Sequence, residues 1–177
     1  MSTSSQSIPS ATHVYPMVRS GGLFLALVGL GLIGGVLFSG NAPVNYVVFF
    51  VGVALGVVAL MFAGPLSFGS PTRIQVAALV AAVALEVVLL NIQGRMLPQG
   101  TDESVRWLWI SMIVGVHFLP MAISFGPRLL ALGAICIANA IVGLLLPAVP
   151  YEAFGLFDGF AKLAFGIWLF FDKPHAA

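Results

Sequence analysis

Five polar side chains lie within long hydrocarbon runs of this sequence: Glu86, His117, Asn139, Asp158 and Lys162. A carboxylate and an imidazole can pass a proton between them near neutral pH. A carboxylate and an ammonium four residues apart meet on one helix face. An amide bridges helices by hydrogen bonding. Those residue types are the ones that bind, hold or move protons, and each carries a penalty in hydrocarbon of roughly 2.5–3.5 kcal/mol if charged and facing lipid.

The last apolar stretch, Ala153 to Asp172, shows the pattern most clearly. At 3.6 residues per turn, Gly155, Asp158, Gly159, Lys162 and Gly166 fall on one stripe, while Phe154, Phe157, Phe160, Ala164, Ile167 and Phe171 cover much of the remaining circumference. The stripe is small and polar, so it is expected to face protein, with Asp158 and Lys162 paired. With both carboxylates ionised and His117 neutral, the five residues carry one uncompensated negative charge, which is costly in low dielectric. Glu86 is therefore expected to hold a proton or to share one with His117. It stands out because its own run carries no cation nearby.

Depth along each run brings the five residues together. Counted from the end nearest the chain termini, Glu86 lies roughly 18 Å up its helix, Asn139 about 15 Å, His117 roughly 12 Å, Lys162 about 16 Å and Asp158 about 22 Å. Four separate helices thus place a polar group in the middle third of a bilayer. Their neighbours are small or polar at helical spacing: Gln75, Ala78, Ala82 and Glu86 share one face, and Leu132, Cys136, Asn139 and Gly143 share another.

The elements that must position these residues are six apolar runs: Leu23–Phe38, Tyr46–Ala63, Ile74–Ile92, Val105–Phe125, Leu129–Leu146 and Ala153–Asp172. Each comes close to the length needed to cross roughly 30 Å of hydrocarbon. Residues 1–22 read as a flexible N-terminal tail, residues 23–172 as one all-α transmembrane domain and residues 173–177 as a C-terminal tail. The segment Gln93 to Ser104 reads as a solvated loop. Ser67-Phe68-Gly69 ahead of Arg73, and Ser124-Phe125-Gly126-Pro127-Arg128, mark similar short turns.

The composition agrees. Of 177 residues, 60% are hydrophobic and 7% charged, and the mean hydropathy is +1.08. An average soluble protein is about 25% charged. A net charge of +1 with basic residues scattered singly excludes a nucleic-acid footprint. The single cysteine, Cys136, excludes an intrachain disulfide and a multi-cysteine metal site. Gly29-Leu30-Gly31-Leu32-Ile33-Gly34 matches the dinucleotide GxGxxG pattern by letter but lies inside an apolar run with no strand before it, which makes it a packing surface. On span 2, Gly52 and Gly56 have the same packing spacing. No metal or cofactor is expected.

Arg19, Arg73, Arg128 and Lys173 fall on the side shared by the termini, opposite Arg95 and Arg106 with Asp102, Glu103 and Glu152. The positive-inside rule then puts both termini in the cytoplasm of a multi-pass protein of a plasma or inner membrane. Spans 3 to 6 are expected to enclose the polar cluster, with spans 1 and 2 packed through glycines. Three functions fit. The first is a small proton-coupled transporter, with Glu86, His117, Asn139, Asp158 and Lys162 as ligand contacts and a homo-oligomer completing the path. The second is an intramembrane isomerase, cyclase or hydrolase on a lipophilic substrate, with Glu86, His117 and Asp158 as acid and base. The third is an accessory subunit in which the cluster only fixes packing. The partners are the lipid bilayer and a small or lipophilic ligand.

Overall fold

In lipid a backbone must satisfy its own hydrogen bonds, and runs of about 20 apolar residues do so as helices. The computed structural model describes residues 15–62 and 66–172, and its regular structure there is six helices. They are α1 (Val18–Leu37), α2 (Ala42–Met61), α3 (Arg73–Met96), α4 (Glu103–Phe125), α5 (Arg128–Leu145) and α6 (Tyr151–Phe170). All six are long and apolar enough to cross a membrane. The protein is an all-α, multi-pass membrane bundle.

Local chemistry sets the ends. Thr72 and Gln75 form a reciprocal capping box at the start of α3, with Thr72 Oγ1 accepting from Gln75 N at 3.3 Å and Gln75 Oε1 accepting from Thr72 N at 2.9 Å. Asp102 Oδ1 accepts from Ser104 N at 3.0 Å to open α4. Gly126 closes α4 with φ +105°, a conformation that a residue with a Cβ rarely adopts.

Two expected boundaries move. Helix α1 starts at Val18 rather than Leu23, and Val18, Ser20, Gly21 and Gly22 are buried. The small residues that resemble a tail are what let this turn fit. A Cβ on Gly21 would strike the Phe125 ring at 2.3 Å, and one on Gly22 would strike the Phe170 backbone at 2.5 Å. Residues 1–14 of the expected tail, and the C-terminal 173–177, lie outside the described residues. Likewise α3 continues to Met96, which shortens the polar connection to residues 97–102. Arg106 ties that connection down, donating to the carbonyls of Pro98 at 2.9 Å and Thr101 at 3.3 Å.

Packing runs around the bundle in the order α2, α1, α6, α5, α4, α3. The α1–α6 seam is the most extensive, and glycines make it. A Cβ on Gly159 would lie 3.2 Å from the Gly29 carbonyl oxygen, and one on Gly166 would lie 2.5 Å from Ala26 N. Gly31 and Gly52 bring α1 and α2 together in the same way, and Gly115 and Gly133 do so for α4 and α5. Span 1 therefore packs through glycine not only on α2, as expected, but still more closely on α6. In contrast, α2 and α3 share no packed seam among the described residues. Each packs mainly on one neighbour, α2 on α1 and α3 on α4, with α2 also touching α4 through Tyr46 and Phe49, and most of the surface of each is exposed.

Candidate functional site

Because α2 and α3 stand apart, the bundle encloses a cavity of about 300 Å3 between them and α1, α4 and α6. On α4 its wall runs from Trp107 through Ser111, Val114 and His117 to Met121. Those spacings of four, three, three and four trace one helix face over about 21 Å. Leu25, Val28 and Leu32 supply the α1 wall, and Phe49, Val53 and Val57 the α2 wall. The lining is chiefly hydrocarbon, interrupted by Ser111 and by the ionisable Glu86, His117, Asp158 and Lys162.

These four residues fall into two pairs. Lys162 Nζ lies 2.5 Å from Asp158 Oδ1, and both side chains are almost completely buried. Cys136 Sγ, on α5, accepts from the same ammonium at 3.8 Å, and the Phe118 ring lies beneath it with its centroid 5.9 Å away. A buried charge needs this kind of enclosure, since its loss of hydration is recovered only through close partners. The second pair is looser. His117 Nδ1 sits 3.6 Å from Glu86 Oε2, beyond hydrogen-bond length, and has no aligned hydrogen bond among the described residues. Its imidazole is buried, whereas the Glu86 side chain keeps 27% of its surface. So one pair is fixed and mutually neutralised, while the other has room for a proton or a ligand atom.

Helix α4 presents its histidine because Leu108, Ser111, Gly115, His117, Phe118, Met121 and Ala122 face inward, and Pro120 interrupts the backbone ladder one turn away. Helix α3 presents Glu86 on the face that buries Gln75, Ala78 and Ala82. That face is fixed against α4 at one end by Ser124 Oγ, which donates to the Gln75 carbonyl at 2.6 Å. At the other end Gln93 Nε2 donates to the Arg106 carbonyl at 3.4 Å.

Asn139 does not join the group. Its Nδ2 donates to the Phe154 carbonyl at 3.0 Å, and it takes no part in the cavity wall. A backbone carbonyl on the adjacent helix accepts from the amide, the bridging role expected of this residue type, and which carbonyl it is depends on how the helices cross. The expected enclosure by spans 3 to 6 changes as well. Helices α1 and α2 supply much of the lining, while α5 contributes only Cys136, from behind Lys162. Cys136 was legible as an inward residue on the Asn139 face, but its contact with an ammonium on another helix was not.

An aromatic stack lies at the end of the cavity farther from the chain termini, where Trp107 lines it. Trp107 lies between Tyr46 and Tyr151, with ring centroids 5.4 and 6.3 Å away. Glu103 accepts from Tyr46 Oη at 2.5 Å, tying α2 to α4. At the opposite end Arg128 binds Asp172 at 2.5 Å and lies over the Trp168 ring, while Arg19 donates to the Asp172 carbonyl at 3.4 Å. These contacts hold the ends of α1, α5 and α6 together and leave α2 and α3 outside the clasp.

No curated protein and no solved structure matches this chain. Its residues 9–177 match a family of unknown function, DUF6609, and the chain belongs to that family.

Proposed function

We propose that this protein is a proton-coupled carrier of a lipophilic small molecule, with Glu86 and His117 as the groups that exchange the proton. The observation that supports it best is the loose Glu86–His117 pair in the wall of a cavity that follows α4 for about 21 Å. That length covers much of a hydrocarbon layer roughly 30 Å thick. A molecule entering between α2 and α3 meets hydrocarbon along most of its length and the four ionisable groups among it. Asp158 and Lys162 neutralise each other and set the shape of the site. In this reading both termini are cytoplasmic, and the aromatic stack at Trp107 is the gate on the other side.

The looseness of the Glu86–His117 contact, 3.6 Å, favours one further reading, in which the pair is the acid and base of an enzyme acting on a lipophilic substrate. Chemical recovery of the molecule separates the two, since a carrier returns it unchanged.

The test uses proteoliposomes with an imposed pH gradient and two lipophilic ions that cross bare bilayers slowly, phenylbutyltrimethylammonium and phenylbutylsulfonate. One of them should accumulate against its gradient with the wild-type protein and not with Glu86→Gln. Accumulation of neither, or accumulation indifferent to the pH gradient or to Glu86→Gln, overturns the carrier.

A further inference from the structure

The balance of charge around the cavity bears on what it takes. Glu86 and Asp158 are two carboxylates facing one ammonium, Lys162, so with His117 neutral the wall is one negative charge in excess. Among the described residues no other cation pairs with these groups. On α3 itself, Arg73 and Arg95 lie about 20 and 13 Å along the helix from Glu86. On α4, Arg106 is engaged with the Pro98 and Thr101 carbonyls, and Glu103 with Tyr46. On α6, Glu152 accepts from Ser39; on α5, Arg128 holds Asp172; and Arg19 of α1 lies over the Phe68 ring. Helix α2 carries no ionisable group but Tyr46. The excess charge is met either by a proton between Glu86 and His117 or by the occupant.

The excess negative charge at Glu86 suits a cation, and the cavity has aromatic lining. Phe24, Phe49 and Phe118 line the cavity, and Phe118 already has the Lys162 ammonium against its face. An anionic head would stand before two carboxylates with the single ammonium already committed. The volume sets the size. An engineered cavity of about 150 Å3 holds benzene, so about 300 Å3 arranged as a long slot suits a chain of roughly ten to fifteen heavy atoms.

We propose that the occupant is a lipophilic monocation, a protonated amine or quaternary ammonium on a short hydrocarbon body, with Glu86 as its counter-ion. This rests on the carrier reading and gives it a cargo class and a sign. Binding of the cation removes the need for the proton between Glu86 and His117, so that proton leaves. Proton and cargo then compete for one carboxylate and are exchanged one for one.

Calorimetry on the full chain in nanodiscs, with phenylbutylamine, phenylbutanol and phenylbutyrate, tests it. The protonated amine should bind at least about tenfold more tightly than the alcohol. Its affinity should rise with pH, by up to about tenfold per pH unit, because the site must lose a proton to accept it. Glu86→Gln should remove the preference while still binding the alcohol, and Glu86→Asp, which keeps the carboxylate, should retain it. Equal or tighter binding of the alcohol or of phenylbutyrate overturns the cation, as does a preference that survives Glu86→Gln. If such binding is blocked by Val83→Trp, which fills the slot, the carrier reading stands without it. If none of the three binds saturably, the cargo class and the carrier fall together.

Discussion

Lys162→Met is expected to cost about 3–5 kcal/mol of stability, because it leaves the Asp158 carboxylate buried without its counter-ion. For a chain of this length that corresponds to a fall in Tm of roughly 10 °C. Asp158→Asn should act in the same direction by stranding the ammonium, with Cys136 Sγ and the Phe118 face as its remaining neighbours. The double variant Asp158→Asn/Lys162→Met removes both charges, and most of the loss should return. Thermal unfolding in detergent across the four proteins measures the cycle. Additive losses would mean that the two side chains are not coupled, and a single variant with wild-type Tm would mean that the pair does not bear on the fold. The same cycle separates architecture from transport, since a double variant that folds still contains Glu86 and His117.

The second large effect belongs to the α1–α6 seam. A Cβ at Gly166 would lie 2.5 Å from Ala26 N and 2.7 Å from the Gly22 carbonyl oxygen, both of them backbone atoms that no rotamer change can move. Gly166→Ala should therefore push α1 from α6 and lower stability by about 1–3 kcal/mol, the usual range for overpacking. Gly94→Ala is the matched comparison, because nothing lies within 4 Å of a Cβ there and Gly94 is inside α3. That change should raise stability by up to about 1 kcal/mol through helix propensity. One chemical change thus has opposite signs at two sites. Equal effects at both would show that α1 and α6 do not approach as closely as the backbone contacts require.

Much of the architecture was readable in the residue pattern. The number of membrane spans follows from hydropathy. The inward faces of α3, α4 and α6 follow from the intolerance of hydrocarbon for Glu86, His117, Asp158 and Lys162. Periodicity specifies a face but not the neighbour that meets it. So the stripe of Gly155, Asp158, Gly159, Lys162 and Gly166 was recognisable as a contact surface, while its division between α1, through Gly159 and Gly166, and the cavity, through Asp158 and Lys162, depends on how the helices cross. Asn139 bridges two helices as an amide in a span is expected to, but its partner is a backbone carbonyl, which is present at every residue and cannot be picked out from sequence. The gap between α2 and α3 had no signal at all, because apolar residues that line a slot and apolar residues that face lipid look alike in sequence. Phe24, Phe49 and Val53 read as ordinary span residues, yet they form the wall that shapes the site.

A weakly buffered sample with a pH-indicating dye gives the most direct measurement of the exchange at Glu86. Adding phenylbutyltrimethylammonium, which carries no titratable proton, to the purified protein should release about one proton per chain at saturation from the wild type and none from Glu86→Gln. Saturable binding without proton release, or release undiminished in Glu86→Gln, would contradict an exchange of proton for cargo at this carboxylate.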